Sequence, residues 1–242
     1  MSYVWNWKVF LQSSLDGHPY YELLASGLMW TIATSVCAWL LAFVVGSIVG
    51  VMRTLPNAVA RGFATSYVEV FRNVPLLMQI FLWYFVVPEF LPASVASYVK
   101  TADNGPFFTA VLAIGFFMSS RVAEQVRTGV GALPRGQFMA GTALGLTRAQ
   151  TYRHILLPVA YRVVLPPMTS DFMATIKNTS VAMTIGLMEL TGQARAMQEF
   201  TFQVFEAFSV AALTYLILNL AVTWLMRSLE KRLAVPGFIV VR

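Results

Sequence analysis

Two features of this 242-residue chain could carry chemistry. One is a set of ionisable side chains inside apolar runs. The other is a polar, glycine-rich stretch too short to be a span. Lys177 sits in an apolar run with Asn178, Thr179 and Ser180 directly after it. An ionisable group at bilayer depth costs roughly 2.5–3.5 kcal/mol, so it must face protein, water or a counter-ion. Lys177–Ser180 could line a path for an anionic solute. Alternatively, carboxylates or backbone carbonyls of the same subunit satisfy the lysine. Asp171, six residues earlier, lies about 240° around a helix and shares no face with Lys177. Glu69 and Arg72 are three apart and suit an ion pair on one helix. Arg72 and Asn73 form the second candidate for a solute path, with Pro75 expected to kink the helix beside them. Arg121, Glu124 and Arg127 repeat the three-residue spacing and are read as a structural charge ladder.

Other chemistry is excluded by counting. The chain has one cysteine and two histidines. Cys37 is read as a small apolar packing residue. His18 and His154 lie too far apart in sequence for a Cys/His metal cluster, so no metal site and no catalytic residue are expected. The dipeptide Gly-Lys, which ends the phosphate-binding loop of many nucleotide hydrolases, never occurs. G-x-G-x-x-G and G-x-S-x-G are also absent.

Composition defines the elements that must position these residues. Only 12% of residues are charged and 57% are hydrophobic, whereas soluble domains carry roughly 25% charged residues. That argues against a soluble enzyme, a secreted binding protein and a disordered regulator. A span needs about 20 apolar residues. Residues 23–52, 105–127 and 207–226 meet that need. Residues 63–88 and 163–188 are long enough but carry Glu69 and Arg72, and Asp171 and Lys177. The expected fold is therefore an all-α integral membrane domain of five transmembrane helices over 23–229. Residues 1–22 form an external segment that lacks the features of a secretory signal, and 230–242 form a cytoplasmic tail. Eleven basic residues, including Arg242, fall on one side of the spans and three on the other. The positive-inside rule then puts the N-terminus outside and the C-terminus in the cytoplasm. The same asymmetry explains the net charge of +6, and no contiguous basic patch suggests nucleic acid. Gly46-x-x-x-Gly50 permits close helix crossing, within the subunit or between subunits. Trp5, Trp7, Tyr20 and Tyr21 suit an outer interfacial belt, and Trp224 an inner one.

Residues 130–160 form the longest cytoplasmic segment. Pro134 suits a helix start, and Gly145 suits the left-handed position that ends one. Thr147 and Gln150 have capping-box spacing, and Pro158 limits the second helix. The product is a short helix, a glycine turn and another short helix beneath the membrane. It could dock on a soluble partner or pack on its own membrane domain.

Gly136-Gln137-x-Met139-Ala140-Gly141-x-Ala143-Leu144-Gly145 resembles the EAA loop of ABC-importer permeases, which reads G-Q-x-E-A-A-x-A-L-G. Met139 replaces the glutamate and Gly141 the second alanine. Further blocks are similar to the polar amino-acid branch of that family. They are Tyr67–Leu77, Leu165-Pro166-Pro167, and Lys177-Asn178-Thr179-Ser180 followed by Ile185-Gly186 and Glu189-Leu190. The resemblance runs from about residue 24 to 235 and is strongest to glutamate/aspartate importers. It implies a type I importer permease in a bacterial inner membrane, working by alternating access. Phe138, Ala140, Gly141, Leu144, Gly145, Leu146 and Gln150 would couple it to a dimeric ATP-binding subunit. The chain itself would hold no cofactor, since ATP and Mg would sit on that partner. A second permease, expected to be a different chain, and an external solute-binding protein would complete the assembly in membrane lipid. Alternatives are an importer permease for glutamine, histidine or arginine, or an ion-coupled secondary transporter. A membrane enzyme or a recruiting scaffold fits less well.

Overall fold

The computed structural model describes residues 3–233, and Arg242 with most of the expected tail lies outside them. The described chain is helical apart from turns and one isolated bridge, Ser13 to Pro19. Its α-helices are α1 (Tyr20–Met52), α2 (Ala58–Asn73), α3 (Leu76–Phe81), α4 (Ala93–Thr101), α5 (Gly105–Gly131), α6 (Arg135–Ala143), α7 (Arg148–Thr151), α8 (Leu157–Asn178), α9 (Leu190–Thr201) and α10 (Val204–Leu233). Among the described residues α1, α5 and α10 are long and apolar enough to cross a bilayer. α2 with the helical stretch from Leu76 to Phe90 makes a fourth if the pair is one broken span. Five were expected. Two elements account for the difference. The run 63–88 is interrupted: Val74 is extended ahead of Pro75, the conformation a following proline favours, and a new helix begins at Leu76. α8 holds Pro166 and Pro167 and ends at Asn178, and Thr179–Ile185 continues as a 3-10 turn to the left-handed Gly186.

The contacts divide the chain into two units. The first contains the described residues up to Trp39, Pro75–Gly115 and Ala174–Ala221. Its core joins Val9, Tyr20 and Leu24 to Leu190, Ala194 and Met197 of α9 and Ala207 and Ala211 of α10. α9 was not anticipated in sequence, because it is short, twelve residues, and its buried apolar residues Leu190, Ala194 and Met197 are set among polar ones. Tyr20 joins this core rather than an interfacial belt. Trp5 and Trp7 are exposed and stack with ring centroids 5.6 Å apart. Tyr3 donates a hydrogen bond to Glu206. Desolvation, followed by that carboxylate, raises the tyrosine hydroxyl above its ordinary range.

The second unit contains Leu40–Val74, Phe116–Met173 and the described residues from Val222. Here Gly46 and Gly50 meet α5 directly. A Cβ on Gly46 would lie 2.6 Å from the Ser119 carbonyl oxygen, and one on Gly50 would lie 2.7 Å from that of Ala123. The small-residue motif thus serves a crossing within the subunit. Val49, Ala64, Val68 and Ala123 close that contact, and Tyr67 Oη lies 2.6 Å from Ser119 Oγ. Cys37 corrects another expectation. It is exposed on α1 beside exposed Val36 and Leu40, so it packs in no core among the described residues.

Candidate substrate cleft and docking element

Glu124 is the centre of the second unit's electrostatics. It lies on α5, one turn before Arg127, whose Nε reaches it at 2.8 Å. Arg53 Nη1, from the turn after α1, reaches it at 2.8 Å, and Arg72 Nη1, from the end of α2, at 3.1 Å. Arg72 therefore does not pair with Glu69, as its three-residue spacing suggested. Glu69 instead accepts from Asn73 Nδ2 at 3.0 Å. Arg121 turns to another acid, Asp171 of α8, at 3.4 Å, and Gln125 Nε2 donates to the same carboxylate at 3.4 Å.

Arg72, Arg121, Glu124, Gln125 and Asp171 line a cleft of about 280 Å³ together with Phe117 and Ser120. That is just below the roughly 300–1,000 Å³ of drug-sized sites and suits a small metabolite. The Arg72 and Arg121 side chains are 50% and 52% exposed. Each guanidinium carries five donors in a fixed fork and can donate to a further carboxylate. Glu124 and Asp171 can accept from an ammonium group. The cleft thus offers complements to both ends of an amino acid. Asp171, Gln125 and the role of Arg121 were missed as site residues in the sequence. The available signal was the same intramembrane-charge argument that picked out Lys177.

Lys177–Ser180 lie in the first unit, whereas Arg72 and Asn73 lie in the second. Lys177 occupies the last turn of α8 and is exposed, not buried mid-helix. A cation is favoured at a helix C-terminus, where carbonyls point outward. No carboxylate of the described residues forms an ion pair with it. Thr179 is buried and donates to the Ile176 carbonyl at 2.8 Å; Ser180 donates to that of Lys177 at 2.7 Å. Asn178 is half-buried. The same unit holds a second carboxylate site. Glu189 is fully buried and caps α9, accepting from Thr191 N at 3.1 Å and Gly192 N at 2.9 Å. Tyr215 Oη adds 2.7 Å and Thr31 Oγ1 3.4 Å.

The helix–glycine–helix element has the local geometry its residues require. α6 follows Pro134. Gly145 sits at φ +72°, and Leu146 N donates to the Gly141 carbonyl at 3.0 Å while Gly145 N donates to that of Thr142 at 3.0 Å. This pair of bonds is the Schellman ending. Thr147 and Gln150 then form a reciprocal capping box at the start of α7. Pro158 does not end the second helix. α7 passes through a wide π-turn, Tyr152–Leu156, straight into α8.

One face of the element is packed. Leu133, Tyr152, Leu156 and Ala160 form a core with Val51 and Leu55, and Tyr152 Oη lies 3.0 Å from Thr54 Oγ1. Gly141 belongs to this face: a Cβ there would lie 2.7 Å from Thr151 Cγ2, so even alanine would crowd it. Leu146 is half-buried. The other face is open. Leu144 is 74% exposed and Met139 62%, with Phe138, Ala140, Gly145 and Gln150 exposed beside them. Exposed apolar faces of this kind mark protein or membrane contact surfaces.

A family model described as the binding-protein-dependent transport system inner membrane component matches residues 42–235. The chain belongs to that family. The permease is 44% identical over 242 residues to the glutamate/aspartate import permease protein GltJ of Escherichia coli K12, covering 98% of each chain. It is 33% identical over 217 residues to the glutamine transport system permease protein GlnP of the same strain, covering 90% of this chain and 95% of that one. A crystal structure of an amino acid ABC transporter with histidines superposes with a TM-score of 0.75 at 29% identity, over 88% of the permease and 95% of that chain. The inward-facing MetNI methionine ABC transporter gives 0.76 at 20% identity, over 90% and 99%, which bears on the fold alone. The permease thus has the all-helical type I importer fold.

Proposed function

We propose that the chain is the membrane subunit through which an ATP-driven importer moves glutamate or aspartate into the cell. The observation that carries the reading is the 44% identity to a glutamate/aspartate permease over 98% of both chains. The cleft supports it chemically. Arg72 and Arg121 would hold the solute's carboxylates, and Asp171 and Glu124 its ammonium group. Lys177, with Asn178, Thr179 and Ser180, is a separate candidate for lining the solute's path. Lys177 ends a broken helix, which is where transporters commonly place solute-facing groups.

The chain performs no covalent step in this reading. ATP and Mg are bound by a separate ATPase dimer. Its closure moves the helix–glycine–helix element, and the helices reopen on the other side. An external binding protein delivers the solute, and a second, different permease completes the pore. The N-terminus lies outside and the C-terminus inside, in keeping with the basic residues at 53–61 and 127–162.

The test is uptake by the reconstituted importer in proteoliposomes. ATP-driven accumulation of glutamate and aspartate, abolished by Gly145→Arg, is the expected result. That variant places a long side chain at a left-handed position on the docking face. Uptake that persists without the ATPase would sink the reading. The 33% identity to a glutamine permease favours glutamine as the second candidate, and competition by unlabelled glutamine separates the two.

A further inference from the structure

We infer that an arginine-lined cleft beside the docking element receives an acidic side chain of the ATPase subunit. The inference rests on the reading of that element as the ATPase's docking site, and names what the ATPase must present there. The cleft holds about 380 Å³ and is lined by Arg53, Arg61, Phe138, Arg148 and Tyr152, with the turn Thr54–Pro56. Three guanidinium groups bound one space. Arg53 is 10% exposed and committed to Glu124. Arg61 and Arg148 are exposed, and neither forms an ion pair among the described residues. Their neighbours behave differently: Arg72, Arg121 and Arg127 each hold a carboxylate.

Apart from Glu124, which Arg53 engages, the surrounding sequence offers no internal acid. From Gln125 to Ser170 it carries Arg127, Arg135, Arg148, Arg153 and Arg162 but no aspartate or glutamate. Position 139, a glutamate in the loop this stretch resembles, is methionine. Clustered like charges repel, and an arriving anion relieves them. A guanidinium pair suits a carboxylate, which it can grip in a bidentate fork.

Two observations favour a protein carboxylate over a lipid headgroup. The cleft shares Phe138 and Arg148 with the docking element, whose outer face is apolar. The apolar stripe of α2 that lipid would wet points elsewhere. Val59, Phe63 and Val70 are 81%, 66% and 58% exposed. They fall within about 40° of one another around the helix, and Arg61 lies about 200° from Val59.

The experiment uses the complete importer in vesicles, reading ATPase retention against salt alongside ATP-driven uptake. The charge-reversed double variant Arg61→Glu, Arg148→Glu is expected to weaken ATPase binding at least tenfold and to flatten its salt dependence. A lysine replacing an acid in the ATPase's docking groove should restore binding. Leu144→Asp should weaken binding while leaving the salt slope intact. Native binding by the charge-reversed variant, with loss in Leu144→Asp, overturns the cleft proposal and leaves docking standing. Native binding by both overturns docking as well. A third outcome also overturns the proposal: native ATPase binding, with uptake that depends on anionic phospholipid only while both arginines are present. That would make the cleft a lipid headgroup site.

Discussion

Glu189 and Glu124 are both carboxylates in a largely apolar chain, but they are held by opposite means. Glu189 is fully buried and held by two backbone N–H groups and the hydroxyls of Tyr215 and Thr31. No cation forms an ion pair with it among the described residues. Glu124 is part-exposed and surrounded by Arg53, Arg72 and Arg127. The first arrangement is short-range and directional, so every partner loses its bond if the acid leaves. The second is partly wet and has interchangeable partners. A site that must release and re-form contacts during transport is better built the second way, and a fixed joint the first.

The largest effect should come from the fixed joint. Glu189→Leu strands the amides of Thr191 and Gly192 and leaves the Tyr215 hydroxyl its longer contact with Thr191 Oγ1 at 3.2 Å, and should cost about 3–5 kcal/mol. A collapse of folded yield and of the thermal midpoint in detergent would register it. Glu124→Gln should cost about 1–2 kcal/mol, because the half-exposed Arg72 and Arg127 can turn to water and the largely buried Arg53 keeps the amide oxygen as an acceptor. It should also lower ATP-driven uptake about tenfold, equivalent to ~1.4 kcal/mol of lost interaction. If both substitutions destabilise equally, the two carboxylates are the same kind of lock and the contrast fails. Tyr215→Phe removes one hydrogen bond from Glu189 and should cost about 1 kcal/mol by the same melt. Arg72→Ala, at a half-exposed pair, should cost under ~1 kcal/mol while raising the KM for acidic amino acids. Smallest of all, Lys177→Met should shift stability within ~0.5 kcal/mol. Its signature is reduced glutamate uptake with ATPase binding intact, and unchanged uptake would remove Lys177 from the path.

The helix–glycine–helix element was readable in sequence because its instructions are local. Gly145, Thr147 and Gln150 act on backbone groups within five residues, and type and spacing specify the result. The cleft was not readable. Its pairs Arg72–Glu124 and Arg121–Asp171 join residues 52 and 50 apart in sequence. Nearest-neighbour spacing led to Glu69 as the partner of Arg72, and tertiary contact supplied Glu124. The proline rule failed at Pro158 for a related reason. A widened turn ahead of it rearranges the backbone hydrogen bonds, so a residue without an N–H is tolerated there. The three apolar spans followed from length and hydropathy alone. α8 did not, since two prolines, an aspartate and a lysine dilute its apolar run.

The widened turn at Tyr152–Leu156 also acts as a vernier. One residue more or fewer in that turn would rotate everything ahead of it by about 100° against α8. Leu144 would then aim at a new bearing with its own helix and cap untouched. A lineage could thus re-aim the hairpin's exposed face by a single codon insertion or deletion, leaving the residues of that face unaltered.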